Sequence, residues 1–578
     1  MRTLMRIHLL THVLTSAALI GAGMASVKVY AAEPFRLASV FTDNAVLQRG
    51  QAVPVWGKGE PGQAVVVAFA GQEKSAKVDK DGRWMTHLDA LAASGKGQSL
   101  MARSGGEAIA LGNVLVGEVW VCSGQSNMAF DLGGSINGKA TIAAAGDDQL
   151  RLFNARAQAT DEPQESIGGS WAVDSSQSAG AFSAVGYYFG KALRKKLGVP
   201  VGLIKSAVGG TVAEAWTARE ELEKNPTLKP LIDAQQQRLV AYSKVLATYK
   251  EREPKILEKY EAAVKKAKAS GGRVPRKPRP PAHPSANKNR PIGLYNGSIA
   301  PLQPYAIRGA IWYQGESNSS RGQQYRTLFP AMISSWRRAW GQGDFPFLFV
   351  QITPHRNMTP EVREAQRVTT ETTQNTAMAV TTDIGHPTDI HPKQKQPIGE
   401  RLALAARSLA YEEDIEFSGP TYDSMSVEGN RVIINFKHLG GGLVAKDGEL
   451  KGFFVYDKDK EVAGTAKIEG DTIAVSSDEI SAPVGVRYGW ANVPDINLYN
   501  KAGLPASPFK TDGAYEPEPG FESLLTGHDV TGWRYKDGPA FDGMKSASDG
   551  RYTGRDGRIV VNPGKGLAQL WTTREFPK

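Results

Sequence analysis

One cysteine, Cys122, is all that this chain carries in 578 residues. No disulfide within the chain can form, and no cysteine-built zinc site either. Cys122 closes an apolar run, so a small buried residue is its expected role rather than a reactive thiol. Membrane-length apolar runs are missing as well. The stretch at residues 9–24 is broken by His12 and falls short of the ~18–20 uncharged residues that cross a bilayer. Arg2 and Arg6 precede it and Val29-Tyr30-Ala31 follows, the layout of a secretory signal over residues 1–31. The expected setting is a secreted or periplasmic bacterial protein, with no span once the signal is cleaved. Nucleic-acid motifs are absent too. The net charge is +10 and the pI about 9.3, but much of the excess lies in residues 244–290, so no nucleic-acid partner is expected.

What is present is glycine and proline, 62 and 33 residues, in a chain long enough for two to four domains. Residues 35–112 alternate short strand-like runs, such as Val53-Pro54-Val55-Trp56-Gly57, with turns at Pro61-Gly62 and Asp81-Gly82. This predicts an N-terminal β-sandwich domain. From 113 to 411 the pattern changes. A run ending at Cys122 is followed by a helix whose Phe182, Val185, Phe189, Leu193 and Leu197 share one face, closed by Gly198 and Pro200. Apolar strands follow at Val201-Gly202-Leu203-Ile204, Ile307 to Tyr313, Phe345 to Gln351 and Ala377 to Thr382, with helices from Tyr325, Thr359 and Ile398. Repeated βα alternation predicts a parallel sheet covered on both faces. Residues 226–290 read as a basic, helical, solvated insertion, with a lid over anionic polysaccharide as the sharper alternative. Residues 412–510 return to β. A linker at 516–520 leads to a further β segment, 521–578.

In open α/β sheets ligands collect at the carboxyl ends of the strands. Here those ends carry Ser123-Gly124-Gln125-Ser126, Gly209-Gly210, Gln314-Gly315-Glu316-Ser317-Asn318, and Asp383 with Asp389-Ile390-His391 beyond it. A serine hydroxyl needs a base, and the base needs a carboxylate to orient it. Ser126, His391 and Asp389 are the candidates, with Asp383 in reserve. The N–H groups of Ser126 and of Gly209 or Gly210, with the amide of Gln314 or Asn318, are candidate oxyanion donors. Trp216, Tyr313 and His355 are expected to shape a sugar pocket, with core packing as the equal alternative for the two aromatics. One rival is a metal hydrolase built on Asp383, His386, Asp389 and His391. Another is a binding protein on an inactive fold.

Gly124-Gln125-Ser126-Asn127-Met128, Gly209-Gly210-Thr211 with Glu214 and Trp216, Trp312-Tyr313-Gln314-Gly315-Glu316-Ser317-Asn318, and Asp389-Ile390-His391-Pro392 with Lys395, Gly399 and Arg401 together resemble the sialate O-acetylesterase family. The resemblance covers about 35–510. It implies an SGNH hydrolase: an α/β, flavodoxin-like three-layer sandwich with a parallel sheet, accompanied by accessory β-sandwich domains. It implies Ser126 as nucleophile, His391 as base, and no metal or other cofactor. The implied substrate is an acetylated oligosaccharide or polysaccharide, either plant cell-wall hemicellulose (xyloglucan or xylan) or sialic acid. Two departures stand out. The superfamily places Asp three residues before His, whereas Asp389 is two before. Its third oxyanion donor, an Asn in a Gly-x-Asn-Asp block, is missing. The tail from Phe521 resembles the start of a concanavalin-like β module of secreted carbohydrate-active proteins, cut short.

Overall fold

The computed structural model describes residues 34–511 throughout and parts of 530–572. The signal expected at 1–31, the linker at 516–520 and the start of the tail at Phe521 lie outside the described residues.

One long strand frames the chain, β1 (Glu107–Gly124). Six others join its sheet: β2 (Leu150–Asn154), β3 (Trp171–Val173), β4 (Val201–Ala207), β5 (Gly309–Tyr313), β6 (Phe347–Val350) and β7 (Thr376–Ala379). Their order is β3-β2-β4-β1-β5-β6-β7. All are parallel except β3, which runs antiparallel to β2. Leaving aside β2 and β3, the order is 2-1-3-4-5, that of a flavodoxin-like sheet. The edge strands β2 and β3 were not expected from the sequence.

The first part of β1 belongs to the N-terminal strands. It pairs antiparallel with Ser94–Ser104 and in parallel with Val46–Gln48. The boundary expected at 112 therefore falls inside one hydrogen-bonded strand. A three-stranded sheet, Arg36–Leu37, Val53–Lys58 and Arg83–Leu88, packs over it. Val55, Val65, Trp84 and Leu100 from these strands share one buried core with Trp312 and Trp336 of the α/β layer.

Six helices matter for the site: α1 (Ser126–Ala129), α2 (Ala184–Leu197), α3 (Lys229–Ala269), α4 (Gly322–Trp340), α5 (Pro360–Thr372) and α6 (Gln396–Tyr411). The Ser183 hydroxyl accepts the Gly186 N–H at the start of α2, and Gly198, at φ +68°, ends it. Phe182, Val185, Phe189 and Leu193 pack with Ile398, Leu402 and Ala406 of α6 on one face of the sheet. A Cβ on Gly399 would lie 2.7 Å from the Phe189 nitrogen, so the two helices meet backbone to backbone. α4 and α5 cover the other face, completing three layers. α3 takes up most of the insertion expected to be basic and helical. Pro230 sits in its first turn, where no N–H is required, and its one buried residue is Gln235.

Two four-stranded antiparallel sheets follow, built from strands between Thr421–Glu428 and Phe509–Lys510. They enclose their own core of Val432, Ile434, Val455, Val475 and Tyr488. They also touch the α/β layer. The Asn492 carbonyl accepts from the His355 N–H at 3.2 Å, and Gln351 donates to the Ser507 hydroxyl at 2.9 Å. In the tail, Arg558–Val561 pairs with Tyr552–Arg555, which contains the strand expected at Ile559-Val560-Val561. No helix among the described residues is long and apolar enough to cross a membrane.

Glu118 pins the junction of the two halves of β1. Its buried carboxylate accepts from Gln48 at 3.0 Å, from Arg308 at 2.9 Å and from Arg49. Burial opposes its charge, and Arg308 and Gln48 with Arg49 outweigh that, holding the carboxyl below its usual range. Glu118→Ala leaves those donors facing a hole and should cost about 3 kcal/mol in urea unfolding. Because the folded carboxyl titrates lower than the unfolded one, its stabilisation is present above the ordinary carboxylate range and is lost as pH falls through the folded value. Glu118→Gln should flatten that acid limb; an unchanged limb would show that the contact is electrostatically idle.

Candidate active site

β1 ends in a turn that only glycine can make. Gly124 has φ +137°, and a Cβ on it would lie 2.2 Å from the Tyr313 carbonyl oxygen of β5. The chain then enters α1 with Gln125 as N-cap and Ser126 as first helical residue. No side-chain capping bond forms there. Ser126 is half-buried, and its hydroxyl is not spent on a cap. The Ser126 and Gly209 N–H groups have no hydrogen-bond acceptor among the described residues. Gly209 follows β4 and packs on Ser126: a Cβ built on it would sit 3.4 Å from the Ser126 Cβ.

Asn127 binds the surrounding loops. Its amide donates to Glu316 Oε1 at 2.6 Å and to the Ile390 carbonyl at 3.0 Å. Its Oδ1 accepts from Lys395 Nζ at 2.5 Å. The Ile390 bond brings His391 beside the serine turn, and the Phe130 and His391 ring centroids are 6.5 Å apart. No hydrogen bond joins the Ser126 hydroxyl to the His391 ring. Contacts of this kind often tighten only around substrate.

The two aspartates are differently engaged. Both Asp383 oxygens pair with Arg401, at 2.7 and 2.6 Å, which takes it away from the imidazole. Asp389 is exposed; its Oδ1 accepts the His391 backbone N–H at 2.9 Å. Burial lowers the proton affinity of His391, the Lys395 ammonium lowers it further, and Asp389 opposes both. His386 is turned to its own loop, with Nδ1 accepting the Thr388 and Asp389 N–H groups. Among the described residues no three His, Cys, Asp or Glu side chains form a metal-binding group.

Four of the expected site residues are engaged inside the protein. Gln314 Nε2 donates to the Thr211 carbonyl at 3.1 Å and to Asn318 Oδ1 at 2.7 Å. Asn318 Nδ2 donates to Glu214 at 3.0 Å. Both amides are buried in this network, which ties the β4 loop to the end of β5 and takes up both N–H bonds of Gln314. Trp216 is fully buried, its Nε1 donating to Thr211 and its ring edge-on to Trp312 at 5.8 Å. Tyr313 is fully buried too. Each lies in the core because apolar area next to a motif is most cheaply placed under the sheet. His355 is 6% exposed, with Nδ1 accepting the Asn357 N–H; its charge is felt at His391. Cys122 is buried, as expected, and its thiol is pushed up by that burial.

Sequence reasoning named Asn127, Glu316 and Lys395 only as motif members. The structure makes them one buried network. Lys395 is fully buried, its Nζ 5.0 Å from the Phe130 ring centroid and 5.3 Å from that of Tyr313. Burial lowers it to about 7, opposed by Glu316 and Asp389. Burial raises Glu316, whose Oε2 has no partner.

The profile of the carbohydrate esterase family described as sialic acid-specific acetylesterase matches residues 116–270 and 293–408. A crystal structure of a carbohydrate acetylesterase from Xanthomonas citri is 35% identical, with a TM-score of 0.69, covering 82% of this chain and 99% of its own. The chain belongs to this esterase family. Sialate O-acetylesterase of Mus musculus is 29% identical over 449 residues, 70% of this chain and 79% of that one. The Homo sapiens enzyme is 28% identical over 531 residues, 82% and 92%. The chain is thus a carboxylic ester hydrolase, a carbohydrate O-acetylesterase in activity, on the flavodoxin-like fold with accessory β-sheets.

Lys395→Met removes a cation that depresses His391 while keeping the buried stem. The His391 imidazole titration, followed by NMR, should move to higher pH. No movement, or movement downward, would show that the ammonium does not act on the ring.

Proposed function

We propose that this acetylesterase works through a serine nucleophile and an acetyl-enzyme. Ser126 attacks the acetyl carbonyl carbon while His391 takes the hydroxyl proton. The oxyanion accepts hydrogen bonds from the Ser126 and Gly209 N–H groups. The tetrahedral centre collapses, the sugar oxygen leaves with the proton from His391, and water, activated by the same imidazole, releases acetate. Asp389 is the orienting carboxylate on this reading and Asp383 the anchor of Arg401. The observation that carries the reading is the pair of uncommitted N–H groups at Ser126 and Gly209, one residue from the Asn127 bond that holds the His391 loop. The substrate is an O-acetylated sugar of a glycan. Export is supported by Arg2, Arg6 and the apolar run after them. No nucleic-acid substrate is involved.

The test is acetate release from a panel of acetylated sugars. Ser126→Ala should lose at least ~10³-fold in kcat; a variant within tenfold of wild type would end the serine route. Asp389→Asn should lower kcat much more than Asp383→Asn, whereas Asp383→Asn should chiefly lower the melting temperature. The reverse ranking would move the orienting role to Asp383.

A further inference from the structure

The insertion between β4 and β5 holds the chain's positive charge. Residues 226–290 contain sixteen Lys and Arg against five Asp and Glu, whereas the whole chain has 69 against 59. The return limb, residues 270–290, has six of those cations and no acid. Arg273, Arg276, Lys277 and Arg279 are all exposed. Ion pairs of the insertion lie elsewhere, at Lys229–Asp233 and Arg290–Asp161. Exposed like charges side by side repel rather than stabilise, and salt only screens that repulsion. Fold stability therefore gives no reason for them.

The limb is laid against α3. The Tyr242 hydroxyl donates to the Pro281 carbonyl at 3.2 Å, and the Tyr242 and His283 rings meet edge-on at 4.6 Å. Pro275, Pro278, Pro280 and Pro281 favour extended backbone, which spreads the charges from Arg273 to Arg279 along roughly 19 Å. The limb then runs into the site. Lys288 donates to the Gly209 carbonyl, Asn289 donates to the Gly210 carbonyl at 3.0 Å, and Asn289 Oδ1 accepts the Val212 N–H at 3.2 Å. Gly209 is the residue that packs on Ser126. The family match stops at 270 and resumes at 293, so nearly all of the limb lies outside the matched pattern.

We propose that residues 270–290 form a track for a polyanionic glycan. Anionic groups repeated along the polymer pair with Arg273, Arg276, Lys277 and Arg279, and an acetylated sugar of the same chain is delivered to Ser126. Guanidinium groups bind carboxylates and sulfate esters alike through paired N–H donors. The shared chemistry is thus a negative charge repeated along a sugar chain. The limb has no Phe, Tyr or Trp on which bases would stack, which sets single-stranded nucleic acid aside. This proposal rests on the esterase reading of Ser126.

The experiment uses the full chain and the variant R273Q/R276Q/K277Q/R279Q. Substrates are acetylated polygalacturonate, an acetylated sulfated galactan, acetylated neutral xylan and 4-nitrophenyl acetate. On at least one charged polymer, kcat/KM relative to 4-nitrophenyl acetate should fall ~10-fold or more in the variant, through KM, and the difference should shrink in about 0.5 M NaCl. The two charged polymers separate carboxylate from sulfate. Equal ratios on charged and neutral polymers would overturn the track. Should wild type release no acetate from any ester, the serine reading fails, and binding of unesterified polygalacturonate and sulfated galactan by calorimetry decides the limb alone. Weaker binding by the variant supports it. Equal binding, no binding by wild type, or tighter binding of duplex DNA than of either polymer, overturns it.

Discussion

The site depends on one buried amide. Asn127 gives both its N–H bonds and takes one ammonium, and each partner comes from a different segment: Glu316 after β5, Ile390 in the loop after β7, and Lys395 before α6. None of these segments is held to another by apolar packing alone. A loop has too little buried area to offset the entropy of fixing it. A buried lysine and a buried glutamate, in contrast, cannot be left without partners. Satisfying them through Asn127 fixes three loops at once, and Ser126 is the residue next to it.

That arrangement explains why the surrounding scaffold is so extensive. β1 carries the serine turn at one end and the N-terminal sheets along the other, so the turn inherits the rigidity of both. The amides of Gln314 and Asn318 tie the β4 loop to β5 from beneath. The C-terminal sheets hold the His355 segment through Asn492. Each brace acts on backbone close to the site, leaving the Ser126 hydroxyl and the Gly209 N–H uncommitted. Backbone donors left open side by side at one rim are what a substrate oxygen can use.

Much of this was legible in the sequence because it is written locally. Apolar runs that end in glycine gave the strand ends, and the 3.6-residue spacing of Phe182 to Leu193 gave α2 and its buried face. What was misread depends on partners far away in the chain. For Asp383, the reserve acid, the sequence did not show that Arg401, eighteen residues on, pairs with both its oxygens. Gln314 and Asn318 looked like free donors, whereas Gln314 donates to Asn318 and Asn318 to Glu214. For Trp216 and Tyr313 pocket wall and core packing were equal readings, and burial under the sheet favours the core. β2 and β3 were missed because they are short and their β character comes from pairing, β2 with β4 and β3, at the edge, with β2. The boundary at 112 was drawn where composition changed, and composition does not reveal that one strand serves two sheets.

Charge is distributed around this site in a consistent sense. Lys395 lies beneath the His391 loop and Lys288 sits on the Gly209 carbonyl, so positive charge flanks the serine turn from below and from the rim. A neutral imidazole and a stabilised oxyanion both benefit from that field on the proposed mechanism, the first because a nearby cation disfavours its protonation, the second by direct attraction. The same field favours a substrate that is itself negative. A return limb that carries no acid of its own, and whose end clamps the glycine turn, extends that preference from the reacting ester to the polymer that carries it. The buried cation and the exposed ones are then two ranges of one effect: Lys395 acts across a few ångströms of low dielectric, and the limb acts through solvent, where only several charges together outlast screening.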